Sequence, residues 1–237
     1  MAGTTAKHQS SSTDDQELLD SRGGEPGWIH TDPWRVLRIQ SEFVNGFGAL
    51  ADLGPAISVF GSARTSSDDP FFKLGEEVAA KLVNAGFAVI TGGGPGIMEA
   101  ANKGAYEAGG RSVGLDVELP YESGLNDFVN LGISFRYFFV RKTMFVKYSQ
   151  GFIVLPGGYG TLDEVFEALT LAQTGKVTAF PVVLIGVDYW AGLIDWLRAR
   201  VVKHGNIAVE DLDLIASTDD IDLAVKIMSD AQPGCAS

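Results

Sequence analysis

Three glycines within four residues, Gly157, Gly158 and Gly160, are followed by Thr161 and then by Glu164. Glycines let a backbone approach an anion closely, and the N–H groups and positive dipole end of a following helix attract it. Thr161 can add a hydroxyl donor. Glu164, one helical turn further on, can present a carboxylate to the rest of the ligand. Thr and Glu near a helix start also satisfy orphan backbone donors, so a tight turn with a capped helix is the competing reading. Three glycines are more than a cap requires, and the set reads as a phosphate cradle beside a carboxylate.

A second set lies just upstream. Residues 136–147 contain Arg136, Arg141, Lys142 and Lys147 and no acid, although the chain carries a formal net charge of −12. An amphipathic helix with solvated charges would look the same. This helix, however, runs directly into the strand before the glycine turn, which places some of its cations near the same rim. Arg141 and Glu164 fall on consecutive helices either side of one strand and can converge. An arginine beside a carboxylate and a phosphate cradle suits the breaking of a bond to a sugar carbon, and spacing carries the inference no further.

The elements that must hold these residues alternate regularly. Short apolar runs at Ala56–Phe60, Phe87–Thr91, Arg111–Val117, Phe128–Phe135, Phe152–Leu155 and Pro181–Ile185 read as strands, with a further one near Leu212–Ile215. Helical spacing fills the intervals: about 70–85, 97–108, 136–149, the stretch after Pro156, 189–204 and a closing helix near 221–228. This order predicts an α/β, Rossmann-like, doubly wound and mostly parallel sheet with helices on both faces. Ligands of such sheets bind beyond the carboxyl ends of the strands. Three strand ends carry unusual turns: Gly61-Ser62-Ala63-Arg64, Gly92 to Gly96, and Pro156 to Thr161. All three are expected on one rim, giving one site.

Outside that core, residues 1–27 are rich in Ser, Thr, Gly, Asp and Glu and read as a disordered leader. Asp32-Pro33 then opens a helix at about 33–51 bearing Trp34, Leu37, Phe43, Val44, Phe47 and Leu50, which packs on the main domain or on a second subunit. A single domain over 28–231 and a flexible tail at 232–237 complete the expected organisation.

Composition narrows the function classes. The acidic balance argues against general affinity for nucleic acid or anionic membrane. The lone Cys235 and the scattered His8, His30 and His204 make neither a disulfide framework nor a metal cluster, so no metal or cofactor is expected. No apolar run approaches the ~20 residues that span a bilayer, and the N-terminus lacks the apolar core of a signal peptide. A soluble, cytoplasmic protein is the expectation. The Gly92 turn fails the G-x-G-x-x-G frame because its last position is Ile97, and neither a G-x-x-x-x-G-K-[ST] loop nor a G-x-S-x-G elbow occurs. What remains points to a small phosphorylated ligand.

Pro156-Gly157-Gly158-Tyr159-Gly160-Thr161-Leu162-Asp163-Glu164 matches the PGGxGTxxE motif of the LOG ("Lonely Guy") family, the cytokinin riboside 5′-monophosphate phosphoribohydrolases long labelled lysine decarboxylases. Arg141-Lys142-Thr143-Met144 resembles that family's Arg-Lys segment, and Gly92 to Met98 resembles its GGGxxGxM turn. The similarity runs from about Ala56 to Ala199. It implies a homo-oligomer, a dimer at minimum, with sites near the dimer interface. It also implies Arg141 and Glu164 as the catalytic pair and Gly157, Gly158, Gly160 and Thr161 as the phosphate cradle, with Ser62, Gly94, Gly96, Met98 and Lys142 as further substrate contacts. The implied ligand is AMP or an N6-prenylated AMP. The N-terminal extension and the Gly61-Ser62-Ala63-Arg64 turn, in place of the family's CGSS-like turn, resemble its longer-chain subgroup, with a hexamer as the larger assembly.

Two rivals accompany that implication. Molybdenum-cofactor carriers share a similar fold and glycine loop, so a non-enzymatic binder of a phosphorylated cofactor or nucleotide is the alternative. The old decarboxylase label would need a Schiff-base lysine for pyridoxal phosphate, for which Lys142 and Lys147 are candidates by default.

Overall fold

The computed structural model describes residues 13–19, 32–118 and 124–232. Seven parallel strands form one sheet in the order β4-β3-β2-β1-β5-β6-β7. They are β1 (Ala56–Phe60), β2 (Ala88–Thr91), β3 (Ser112–Val117), β4 (Leu131–Phe135), β5 (Phe152–Val154), β6 (Val182–Leu184) and β7 (Ile215–Ser217). The predicted doubly wound sheet is thus the observed one.

Period-two alternation builds both layers. Phe60, Ile90, Leu115, Val154 and Leu184 point to one face, where they meet α2 (Asp32–Leu50), α5 (Phe138–Tyr148), α6 (Tyr159–Gln173) and α7 (Val187–Trp196). Ile57, Val59, Val89, Ile153 and Val183 point to the other, against α3 (Pro70–Asn84), α4 (Ile97–Glu107) and α8 (Ile221–Asp230). Strands buried on both faces read as continuous apolar runs, which is why they were visible as short blocks. Burying a Leu, Ile or Phe in either layer contributes roughly 1.5–3 kcal/mol.

Several boundaries differ from the expected ones. The Phe128–Phe135 strand shortens to β4, because the Asn126 side chain accepts from the Phe128 N–H in a turn before it. The last strand begins at Ile215, since Glu210–Leu214 winds into a 3-10 turn. The helix expected over 189–204 starts at Val187 and loosens into a π-helical segment, Leu197–Val202.

The stretch read as a disordered leader contains a short helix, α1 (Asp14–Leu19). Thr13 and Gln16 bond reciprocally, side chain to backbone, in a capping box. Asp14 pairs with Arg38 and Arg136, and Asp15 accepts from the Phe138 N–H at 3.0 Å. Leu18 packs on the core. The rest of that stretch, Cys235 with the expected tail from residue 233 onward, and His8 and His30 lie outside the described residues. On α2, Ile39, Phe43 and Leu50 pack inward while Trp34, Leu37 and Val44 are exposed.

Strand order reverses between β1 and β5. Their neighbouring carboxyl ends form the crevice at which an open parallel sheet binds ligands.

Candidate functional site

A cleft of about 1470 Å³ opens at that crevice. All three unusual turns border it: Gly61 to Thr65 after β1, Gly92, Gly94, Pro95 and Met98 after β2, and Pro156 to Leu162 after β5. Arg141 and Glu164 line it as well, brought in by α5 and α6.

The start of α6 is an open part of the wall. Gly158 occupies the N-cap position with no side-chain cap, although Asp69 caps α3 and Asp220 caps α8. Asp219 likewise takes the N–H groups of Gly186 and Val187 at the start of α7. The first N–H groups of α6 therefore face a cleft rather than a protein carboxylate, which favours an anion there. Side chains at Gly158 or Gly160 would meet open space, whereas one at Gly157 would run into the Thr161 hydroxyl.

The buried stripe of α6 is Thr161, Glu164, Val165 and Ala168. Phe166, beside that stripe, is exposed. Glu164 is only 4% exposed, and its Oε2 has no hydrogen-bond partner. Burial pushes its carboxyl up to about 7, while Lys142 and Arg141 pull in the opposite direction. A carboxylate poised near neutrality is suited to exchanging a proton or to facing a cation.

Arg141 stacks its guanidinium over Phe138, 4.9 Å from the ring centre, and its Nε is unpaired. Burial pushes its pKa below the ordinary value, opposed by Glu164, Asp116, Asp163 and Asp15. With four carboxylates acting on it but none paired to it, this buried guanidinium has a donor free for a ligand.

A family model described as possible lysine decarboxylase matches residues 98–228, more than half of the chain. The chain belongs to this family, the LOG family. Cytokinin riboside 5′-monophosphate phosphoribohydrolase LOG3 of Arabidopsis thaliana is 29% identical over 173 residues, 72% of this chain and 78% of the relative. The probable cytokinin riboside 5′-monophosphate phosphoribohydrolase LOGL9 of Oryza sativa subsp. japonica is 34% identical over 59% of each chain. Among solved structures, the molybdenum cofactor carrier protein of Chlamydomonas reinhardtii superposes with a TM-score of 0.56 at 25% identity, covering 75% of this chain and 97% of that one. The molybdenum cofactor binding protein of Rippkaea orientalis gives 0.57 at 22% identity, over 74% and 96%.

In this LOG-family cleft, Ser62, Gly94, Met98, Gly157, Gly158, Gly160, Thr161, Arg141 and Glu164 come together. Two residues expected as ligand contacts do not line it. Gly96 sits behind the wall with φ +68, where any side chain would meet the Ser62 carbonyl. Lys142 points its ammonium at Asp163 and Glu167, each 2.9 Å away. Burial works against that charge, but those bonds leave its pKa above the ordinary value.

The cleft also contains residues that sequence reasoning missed. Asp116, at the carboxyl end of β3, is raised by burial and held down by the Val117 N–H, Arg141 and Ser134. Its signal was a lone carboxylate at the end of an apolar run. Asn126 ties the Gly92 turn from behind, donating to the carbonyls of Gly93 and Gly94 and to Asn102. Tyr189 reaches in from α7 and donates to the Gly157 carbonyl at 2.8 Å, with no local sequence signal to announce it.

Among the described residues, no group of His, Cys, Asp and Glu is placed to hold a metal, and no helix is long and apolar enough to cross a membrane.

Proposed function

We propose that the protein hydrolyses the N-glycosidic bond of adenosine 5′-monophosphate or an N6-modified relative, releasing the free base and ribose 5-phosphate. The observation that carries this reading is Glu164: a buried carboxylate with an unpartnered oxygen, one helical turn beyond an uncapped glycine-lined helix start. The names of the curated relatives support the same chemistry.

The 5′-phosphate sits against the N–H groups of residues 158–161, and its binding energy fixes the ribose over Glu164. As the bond from C1′ to the base nitrogen breaks, its electron pair leaves with the base and positive charge develops on the sugar. Glu164, ionised, faces that charge or orients the attacking water. The water oxygen bonds to C1′, and its proton is ultimately balanced by protonation of the departing base. Arg141, with its Nε unpaired, stabilises charge developing on the departing base or fixes the ribose–phosphate. Ser62, Gly94 and Met98 border the nucleoside portion. The free enzyme should then gain kcat/KM as pH rises through about 7, the value of the Glu164 carboxyl.

The lysine decarboxylase description fits the cleft poorly, because no described lysine lines it and Lys142 is bound up in two ion pairs. The likeness to molybdenum cofactor carriers supports a second reading, a binder of phosphorylated ligands without turnover. One experiment separates the two. The protein is incubated with AMP and with isopentenyladenosine monophosphate, and base and ribose 5-phosphate are resolved. Release that Glu164→Gln abolishes supports hydrolysis, whereas binding without release supports the carrier. We further propose that the working form is a homo-oligomer, at least a dimer, in keeping with the exposed Trp34, Leu37 and Val44 of α2. Light scattering on the eluting protein tests it.

A further inference from the structure

We propose that Tyr189 is a positioning residue of the cradle: its hydroxyl holds the Gly157–Gly158 peptide with the carbonyl turned away from the bound phosphate and the N–H available to it. The inference rests on the phosphate reading given above. It starts from the 2.8 Å hydrogen bond that the Tyr189 hydroxyl donates to the Gly157 carbonyl, at a residue that itself lines the cleft.

A trans peptide is planar, with its C=O and N–H pointing in opposite directions. Fixing the Gly157 oxygen therefore fixes the Gly158 N–H. A peptide between two glycines has little steric resistance to turning over, because neither neighbour has a side chain to select one orientation. Turned over, it would present a carbonyl oxygen to an anion and remove one donor from a helix start that has no side-chain cap. Tyr189 supplies the restraint that the glycines lack.

Its own support is rigid. The ring packs edge-on against Trp190, with centroids 4.8 Å apart, and the Trp190 indole N–H donates to the Ile185 carbonyl at 3.0 Å. Asp219 takes the N–H groups of Gly186 and Val187, so the start of α7 is occupied and anchored just before Tyr189. One helix start is thus filled by a carboxylate and steadies the other, which is open. That the cleft takes a ligand is indicated separately by Glu164, 4% exposed with an unpartnered Oε2 in the same wall.

The test is Tyr189→Phe, which keeps the ring against Trp190 and removes only the hydroxyl. Ribose 5-phosphate, AMP and adenosine are titrated calorimetrically into the full chain and the variant, alongside melting curves and steady-state kinetics on AMP. The expected result is roughly tenfold weaker binding of the two phosphorylated ligands, with adenosine binding, melting temperature and kcat all close to wild type. KM should rise by the same factor. Equal affinity of both proteins for ribose 5-phosphate overturns the inference while leaving the phosphate reading intact. An equal loss for adenosine also overturns it, since the hydroxyl would then serve the nucleoside. If the wild-type chain binds neither ribose 5-phosphate nor AMP, the phosphate reading falls and this inference falls with it.

Discussion

The two glycine turns look alike in sequence and do opposite work. In the turn after β2, side chains at Gly92 and Gly94 would run into Met98, with contacts of 2.8 Å in each case. One at Gly93 would meet Leu125, and one at Gly96 would meet the Ser62 carbonyl. Gly92 and Gly94 border the cleft, but the turn is packed on its other sides, and Asn126 holds its carbonyls. In the turn after β5, only Gly157 is filled, by Thr161, while Gly158 and Gly160 face empty cleft. Glycine thus serves mainly packing in one turn and mainly ligand access in the other. A glycine's neighbours, rather than its spacing, tell the two roles apart.

The largest effect expected from the open side is on chemistry. Glu164→Gln should lower base release by about 10²–10⁴-fold, the range for losing a positioned acid–base group, with nucleotide binding retained. The same substitution should stabilise the fold at alkaline pH. The folded-state pKa of Glu164 lies above its unfolded value, so ionising it opposes folding. Its favourable contribution is complete below about 4.5 and is lost as pH rises through about 7. The glutamine variant, neutral throughout, should melt like wild type near pH 4 and gain on the order of 3 kcal/mol at pH 8. Melting curves at the two pH values check this. A variant destabilised equally at both would mean that Glu164 has a partner its environment does not show.

The largest effect on the packed side is on stability. Gly96 adopts φ +68 and ψ −130, a region closed to other residues, with backbone atoms of Ser62 and Ala63 where a side chain would go. Gly96→Ala should cost more than about 3 kcal/mol, strain and overlap together. Denaturant melts would show it. Any activity left in the folded fraction should have a nearly normal KM, because Gly96 does not line the cleft.

Much of this was legible in the sequence because the sheet is buried on both faces. Apolar runs such as Ile57–Phe60 and Val182–Leu184 mark strands without ambiguity of face, and strand ends on one rim follow from parallel topology alone. Gly61, Gly92, Pro156, Arg141 and Glu164 therefore could be assigned to one site. What was hidden depends on contacts between distant segments. Lys142 follows Arg141 immediately, but helical rotation carries its ammonium to Asp163 and Glu167 instead of the cleft. Tyr189 reaches the site from α7, whose sequence reads as an ordinary amphipathic helix. The Thr13–Gln16 capping box was in plain view, yet the polar composition around it outweighed the signal.

Smaller changes sharpen the contrast within the open turn. Gly158 has φ −94, which alanine accepts, and a methyl there would point into the cleft without touching protein. Gly158→Ala should cost up to about 1 kcal/mol, since alanine is a poorer N-cap than glycine, and raise KM about tenfold, by obstructing an anion held on the backbone. A KM equal to wild type would mean that the ligand does not approach this peptide.

Gly160 gives the smallest and most diagnostic shift. It lies in the first turn of α6, with open space around it. Glycine within a helix costs up to about 1 kcal/mol relative to alanine, so Gly160→Ala should raise stability by up to that amount. Activity should nevertheless fall, because the added methyl occupies ligand space. A substitution that stabilises the protein and weakens nucleotide binding has no explanation in packing, whereas substitutions at Gly93 and Gly96, with positive φ and neighbours in the way, should lose stability first. If Gly160→Ala stabilised the chain and left KM untouched, the open turn would be an ordinary helix start, and the cradle would have to be sought elsewhere along the cleft.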